Sequence, residues 1–160
     1  MNKDIERALN LRKDNQLKES NQLLLELCKV TPYDSFLNYQ VAWSFDILGE
    51  EDKAILFYEK AIELGLNEEY LEDAYLGMGS TYRTLGDYNK SKVVFEKAIH
   101  QFPQNNALKV FYAMTLFNLG RHDISMEILL QVLSATSNDT DIQNFKKAIL
   151  FYSDKLDKIW

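Results

Sequence analysis

Apolar residues recur along the chain in blocks around four turn residues, Asn15, Gly49, Gly86 and Gly120, which lie 34, 37 and 34 positions apart. Within each block the apolar positions are three or four residues apart, a spacing typical of amphipathic helices rather than strands. A self-similar period of this length predicts a helical solenoid built from helix pairs. Each turn residue is flanked by one small side chain seven positions before it and another five positions after it: Ala8, Ala42, Gly79 and Ala113 before, and Ser20, Ala54, Ser91 and Ser125 after.

Backbone geometry explains why glycine or asparagine occupies the four turn positions. A chain that leaves one helix and reverses into the next passes through a left-handed conformation, which glycine adopts freely and asparagine tolerates better than most residues. Pro32 and Pro103, each 17 positions past a turn residue, are expected to end the second helix of their repeats, and Gly65 is expected to do so in the second repeat.

These positions resemble the tetratricopeptide repeat (TPR) family over about residues 1–137. The residues that fit best lie between 35 and 105 and are Ala42, Gly49, Ala54, Tyr58, Ala61, Gly79, Tyr82, Gly86, Asp87, Tyr88, Phe95, Ala98 and Pro103. The resemblance implies an all-α fold, a right-handed α-α superhelix of four helix pairs whose first helices line a concave groove. The predicted repeats span about 1–34, 35–71, 72–105 and 106–137 of a single domain, 1–160.

The spacing of 37 predicts a longer helix in the third repeat. Three extra residues between Gly49 and Gly86 amount to nearly one helical turn. Asn67 can cap a helix that starts with Glu68 and Glu69, because acidic side chains are favoured at helix N-termini. We therefore expect this helix to extend about one turn beyond its neighbours at its start.

A final helix is predicted over about residues 140–159, with Thr140 and Gln143 as its capping box. Its apolar residues form a heptad seam, which can cover the end of the last repeat or pair with a second copy of the chain. The capping role is preferred, because the seam is shorter than three heptads. The seam residues are Ile142, Phe145, Ile149, Tyr152, Leu156 and Ile159, the first five of which are candidate dimer contacts.

The composition limits the partners. The chain has 24 acidic and 18 basic residues, whereas nucleic acids and anionic membranes are bound by dense lysine and arginine, so neither is an expected partner. The negative charge is concentrated at 35–71, where eight acidic residues face two basic ones; this is interpreted as a solvated helix surface, with a docking site as the alternative. A single cysteine and the lack of a long apolar run favour a cytoplasmic protein.

Candidate catalytic chemistry is scarce. His100 and His122 are interpreted as surface histidines without a repeated carboxylate or cysteine partner, and Cys28, in an apolar stretch, as a buried and inert thiol. The chain also has no phosphate-binding loop and no dinucleotide fingerprint. The sequence therefore predicts a protein that is not an enzyme and has no cofactor and no metal.

The first helices of the second and fourth repeats carry more apolar residues than stacking needs, and this predicts a binding surface in the concave groove for an apolar peptide or partner helix. Arg83 is expected to bind a partner carboxylate and Asp46 a partner cation. The open alternatives are that the chain's own final helix or closure of the superhelix covers this apolar surface, or that the same surface or the final helix forms a homodimer. The family's carboxylate-binding mode is excluded, because its positions hold Ile5, Leu9, Gln40, Asp73 and Gly77. The predicted groove residues are Tyr39, Trp43, Asp46, Leu76, Arg83, Val110, Met114 and Phe117.

Overall fold

Ten α-helices and no strand make up residues 3–160, the part of the chain that the computed structural model describes. The first two residues of the predicted first repeat lie outside the described residues. The predicted all-α fold is confirmed. The helices are α1 (Lys3–Lys13), α2 (Leu17–Val30), α3 (Ser35–Ile47), α4 (Glu51–Glu63), α5 (Glu68–Thr84), α6 (Tyr88–Gln101), α7 (Asn106–Asn118), α8 (His122–Thr136), α9 (Thr140–Asn144) and α10 (Lys146–Tyr152).

The helices form two compact units, one ending at Asp87 and the other spanning Tyr88–Trp160. In the first unit each of α1 to α4 packs against the next helix, and α3 also contacts α5. In the second unit α7 packs against α6 and α8, and α10 packs against α8. Leu24, Leu37 and Val41 lie in the core of the first unit, and Phe95 and Leu108 in that of the second.

The four turn residues all have a positive φ angle, from 60° at Asn15 to 80° at Gly86, as the sequence predicts. At each turn the N–H of the next residue donates to a carbonyl five residues earlier, which is the long hydrogen bond of the Schellman motif. One local structure therefore ends all four first helices. The four bonds are Gln16 to Leu11 (2.8 Å), Glu50 to Phe45 (3.0 Å), Asp87 to Tyr82 (2.9 Å) and Arg121 to Leu116 (2.9 Å).

The small residues that flank the turns are buried, and in two pairs, α1–α2 and α7–α8, the helices lie close together. In α2 the Ser20 hydroxyl donates to the carbonyl oxygen of Ala8 at 2.7 Å, and in α8 Ser125 donates to Ala113 at the same distance. A hydroxyl on so short a side chain reaches the backbone of the facing helix only when the two helices lie in close contact.

Helix α5 has the predicted extension. It contains 17 residues, whereas α3 and α7 contain 13 each. The Asn67 side chain accepts a hydrogen bond from the backbone N–H of Glu69 at 3.2 Å and so caps the helix where the sequence predicts.

The predicted continuous helix over 140–159 is wrong. The chain leaves helical geometry at Phe145, which separates α9 from α10, and α10 ends at Tyr152. The Ser153 hydroxyl donates to the Leu150 carbonyl at 2.9 Å, a local bond that competes with helix continuation. The predicted heptad seam, Ile142, Phe145, Ile149, Tyr152, Leu156 and Ile159, is therefore not a single helical stripe.

The predicted capping box is also wrong in its position. Asp139, one residue before Thr140, is the N-cap of α9, and its carboxylate accepts from the N–H of Ile142 at 3.0 Å. The Gln143 side chain donates to the carbonyl of Ser137 at 2.7 Å instead of accepting from the first turn of α9.

We expect Gly77→Ala to destabilise the protein. A Cβ atom at Gly77 would lie 2.5 Å from Cζ of the buried Tyr58 ring, so the ring or α5 would have to move. Such overpacking costs about 1–3 kcal/mol, although Gly→Ala in a helix ordinarily gains up to about 1 kcal/mol. Urea unfolding followed by circular dichroism measures the change. Ser80→Ala on the same helix is the matched control and should stay within about 0.5 kcal/mol of wild type; a Gly77→Ala protein as stable as wild type would contradict the expectation.

Candidate protein-binding surface

Aromatic side chains from three helices of the first unit form one cluster. Helix α3 contributes Phe36, Tyr39 and Trp43, which lie on one face because they are three and four residues apart. Helix α5 contributes Tyr70, whose ring centroid lies 4.7 Å from that of Phe36 and 6.0 Å from that of Tyr39. Tyr58 of α4 closes the cluster at 6.4 Å from Tyr39.

Tyr39, predicted as an exposed groove residue, is buried, with 4% of its surface exposed. The cause is the extra turn at the start of α5, which carries Tyr70 against the Tyr39 ring. Burial, followed by the Asp73 carboxylate, raises the pKa of Tyr39 to about 12, so its phenol stays neutral. Tyr39 therefore belongs to the core of the first unit, and its prediction as a contact residue is wrong.

Trp43 is exposed, at 43% of its surface, and its ring is fixed by two neighbours. The Arg12 guanidinium of α1 lies 4.6 Å from the Trp43 ring centroid, within the range of a cation–π interaction. The Tyr39 ring stacks on Trp43 with centroids 6.2 Å apart and ring planes inclined by 24°. The indole is thus held in place while part of it remains open to a partner.

Arg12 is itself held by Gln40 of α3. Its Nη1 donates to Gln40 Oε1 at 2.9 Å, and its Nη2 donates to the Gln40 carbonyl at 3.0 Å. Burial lowers the pKa of the Arg12 guanidinium from its ordinary value, but an arginine remains charged at neutral pH. Gln40 therefore positions the cation that lies over Trp43.

Asp46, predicted to bind a partner cation, makes hydrogen bonds within the first unit instead. Its carboxylate accepts from the Tyr58 hydroxyl at 2.7 Å and from the Thr81 hydroxyl at 2.9 Å, and so links α3, α4 and α5. Burial raises the pKa of Asp46, although both hydrogen bonds act to lower it. The geometry gives Asp46 a structural role.

The other predicted groove residues are distributed over both units. Leu76 and Arg83 lie half-buried on α5 in the first unit. Val110, Met114 and Phe117 lie along one face of α7 in the second unit, where Val110 is half-buried, Met114 is 40% exposed and Phe117 is 59% exposed. The Phe117 ring meets His122 edge-on, with ring centroids 4.5 Å apart.

The surroundings of the candidate reactive groups do not favour catalysis or metal binding. Cys28 is buried, and burial raises the pKa of its thiol, which makes it a poor nucleophile at neutral pH. Within residues 3–160, His, Cys, Asp and Glu side chains form no group of three or more that could hold a metal ion. No helix in the same range is both long enough and apolar enough to cross a membrane.

The Arg12–Gln40–Trp43 arrangement and the contacts of Tyr70 were not predicted from the sequence. Arg12 and Gln40 lie on different helices 28 residues apart, and no local pattern pairs them. A signal for Tyr70 did exist, because it lies in the predicted extension of α5, but its contact with Tyr39 depends on how α3 and α5 pack.

Comparisons with known proteins agree on the fold. Residues 35–156 match the model of a protein family described as "Tetratrico peptide repeat". Superkiller protein 3 of Saccharomyces cerevisiae is 26% identical over 108 residues, an alignment that covers 63% of this chain and 7% of that protein.

Three solved structures resemble the chain with low sequence identity, and their likeness concerns the fold. MamA matches with a TM-score of 0.73 at 16% identity, over 91% of this chain and 74% of its own. The APC/C hetero-tetramer Cut9–Hcn1 matches with a TM-score of 0.74 at 14% identity, over 92% of this chain and 29% of the matched chain. YrrB, described as a TPR protein with an unusual peptide-binding site, matches with a TM-score of 0.73 at 15% identity, over 95% of this chain and 77% of its own.

We expect Asp46→Asn to gain stability relative to wild type as the pH rises. A carboxyl whose pKa is raised on folding binds more protons in the native state, so its ionisation costs stability as the pH rises from the unfolded pKa through the folded one. Asparagine stays neutral; its side chain can accept from the Tyr58 hydroxyl and donate to the Thr81 oxygen, which leaves the Thr81 proton for the Gly77 carbonyl at 2.8 Å. Urea unfolding at a series of pH values from acidic to neutral measures the gap between the two proteins.

The control for this prediction is Asp46→Ala, which removes the acceptor for both hydroxyls and should be less stable than Asp46→Asn at every pH. A gap between wild type and Asp46→Asn that shrinks with rising pH would contradict the proposed cost of ionising Asp46.

Proposed function

The chain belongs to the tetratricopeptide repeat family, a family of protein-protein interaction modules that are typically not catalytic, and on that premise we propose that the exposed face of Trp43 binds an apolar segment of a partner protein. The observation that carries the proposal is that the Trp43 ring is partly exposed and held in place by its neighbours. Trp43 is a large apolar side chain that is 43% exposed and lies beside a fixed cation.

The fixed ring favours binding because a partner does not have to order it. Arg12 and Tyr39 hold the indole, and Gln40 holds Arg12. Association loses affinity when interface side chains must be immobilised, by about 0.5–1.5 kcal/mol for each flexible side chain. A ring held by its own protomer avoids most of that cost, and tryptophan and arginine are enriched among residues that dominate binding.

The expected contribution of Trp43 is moderate. Its exposed part is on the order of 100 Å², and covering it is worth about 2.5 kcal/mol at roughly 25 cal/mol per Å². This is enough to change an affinity by about ten- to a hundred-fold, but not enough to hold a partner alone. Leu76 and Arg83 of the first unit are the proposed additional contacts, and Arg83 suits a carboxylate of the partner.

The second unit carries a separate candidate patch. Val110, Met114 and Phe117 present an apolar stripe on α7, and methionine and phenylalanine suit the side chains of a partner helix or an extended peptide. A homodimer built on a continuous heptad helix is not part of this proposal, because that helix is interrupted at Phe145.

We expect Trp43→Ala to weaken peptide binding by at least ten-fold. Peptides selected on the wild-type protein from a random phage-displayed library provide the probe, and titration calorimetry gives their dissociation constants. The proposal expects the selected peptides to be rich in apolar residues, because the exposed part of Trp43 is mainly hydrocarbon.

Leu56→Ala is the matched control, because Leu56 is an apolar residue on α4 of the same unit and is 62% exposed. It should leave the dissociation constants unchanged. Equal affinities for wild type and Trp43→Ala, or an equal loss in both variants, would remove Trp43 from the binding surface.

A further inference from the structure

A cleft opens between three helices of the second unit. It has a volume of about 370 Å³ and is lined by residues of α6, α7 and α8, and we call it the α7–α8 cleft. Its size lies at the lower end of the range for small-molecule sites, which is about 300–1,000 Å³. Four apolar side chains line it: Ile99, Ile128, Val132 and Ala135.

Lys109 is the one charged residue among 3–160 that lines this cleft. Its side chain is half-buried, and its ammonium donates to the side-chain oxygen of Asn106 at 3.4 Å. In the described chain no carboxylate lies within ion-pair distance of Lys109. A cation that is partly removed from water and has no counterion favours the binding of an anion.

Two carboxylates contact residues that line the cleft, and both have other partners. Glu96 of α6 pairs with Lys92 at 2.9 Å and accepts a hydrogen bond from the Tyr112 hydroxyl at 2.9 Å. The bond from Lys92 lowers the pKa of Glu96, so this carboxylate stays ionised and paired. Glu127 of α8 accepts from the side-chain amide of Gln131 at 3.0 Å. The charge of the lysine in the cleft is therefore left for a ligand.

The size and lining of the cleft suit a small amphipathic anion. A volume of about 370 Å³ equals that of about a dozen waters at about 30 Å³ each, which corresponds to a ligand of about twelve non-hydrogen atoms. The apolar walls favour a hydrocarbon chain, and a single lysine neutralises a single negative charge. An alkyl carboxylate of roughly eight to ten carbons has this size and this charge.

We propose that the α7–α8 cleft binds a medium-chain alkyl monocarboxylate, with its chain against the apolar walls and its carboxylate on Lys109. Binding removes both the alkyl chain and the walls from water. Asn106 supplies a second donor, because its side-chain oxygen accepts from Lys109 and its amide N–H groups can donate to the same carboxylate.

This site is separate from the proposed protein-binding surfaces. Trp43 lies in the first unit. Val110, Met114 and Phe117 belong to α7, but helical spacing places them on a different face from Lys109. A failure of peptide binding at those surfaces therefore leaves this proposal standing, and the reverse also holds.

The test is a titration of the isotope-labelled full chain with decanoate, kept below the concentration at which decanoate forms micelles. Amide chemical shifts report both the affinity and the place of binding. The proposal expects saturable shifts at 106–112 and 128–135, with a dissociation constant in the millimolar range or tighter. Butyrate carries the same charge on a short chain and should cause no saturable shift, because it leaves the apolar walls uncovered.

Two variants separate the charge from the apolar walls. Lys109→Met removes the charge, keeps a side chain of similar length, and should weaken decanoate binding by at least about ten-fold. Ala135→Phe fills the cleft from an exposed position and should abolish saturable binding. Lys147→Met is the matched control and should leave the dissociation constant unchanged, because Lys147 is an exposed lysine of α10 that does not line the cleft.

Unchanged circular dichroism of each variant ensures that a loss of binding is not a loss of folding. Decanoate shifts that do not saturate, or that lie only outside the cleft, would overturn the proposal. A Lys109→Met protein that binds decanoate as tightly as wild type would do the same. A short peptide with a free C-terminal leucine is the last arm of the test: a cleft that binds this peptide and not decanoate is a site for a chain terminus, which also overturns the proposal.

Discussion

The close approach of paired helices is the constraint on which the rest of the structure depends. In the pairs α1–α2 and α7–α8 a small residue faces a small residue, and a serine hydroxyl reaches the carbonyl of the facing helix. A larger side chain at any of these positions would separate the helices and change the direction of every residue beyond them. Because the facing sides are used for packing, the opposite side of α3 is left for other contacts, and Trp43 lies there.

Features that depend on local chemistry could be predicted from the sequence. The left-handed turn residues are an example, because few residues other than glycine and asparagine tolerate that conformation, and all four have a positive φ angle. The extension of α5 is another, because Asn67 marks its start and the longer repeat spacing gives its length. Neither feature needs knowledge of distant parts of the chain.

Features that depend on contacts between distant residues could not be predicted. Helical spacing places Tyr39 and Trp43 on the same face of α3, yet only Trp43 is exposed, because Tyr70 of the α5 extension covers Tyr39. Asp46 also lies on that face, but hydroxyls from α4 and α5 occupy its carboxylate. The predicted final helix failed for a local reason. Its apolar residues are spaced as in a helix, but the Asp139 side chain caps α9 at its start and the Ser153 hydroxyl bonds to the Leu150 carbonyl where α10 ends.

The central claim is that Trp43 is open in the free protein and covered by a partner. Trp43 and Trp160 are the two tryptophans of the chain, so a Trp160→Phe variant reports on Trp43 alone. Acrylamide quenching of its fluorescence, without and with a selected apolar peptide, is the most direct measurement. The account predicts strong quenching of the free protein and protection when the peptide is bound. A Trp43 that is already protected in the free protein, or that stays equally accessible when the peptide is bound, would contradict it.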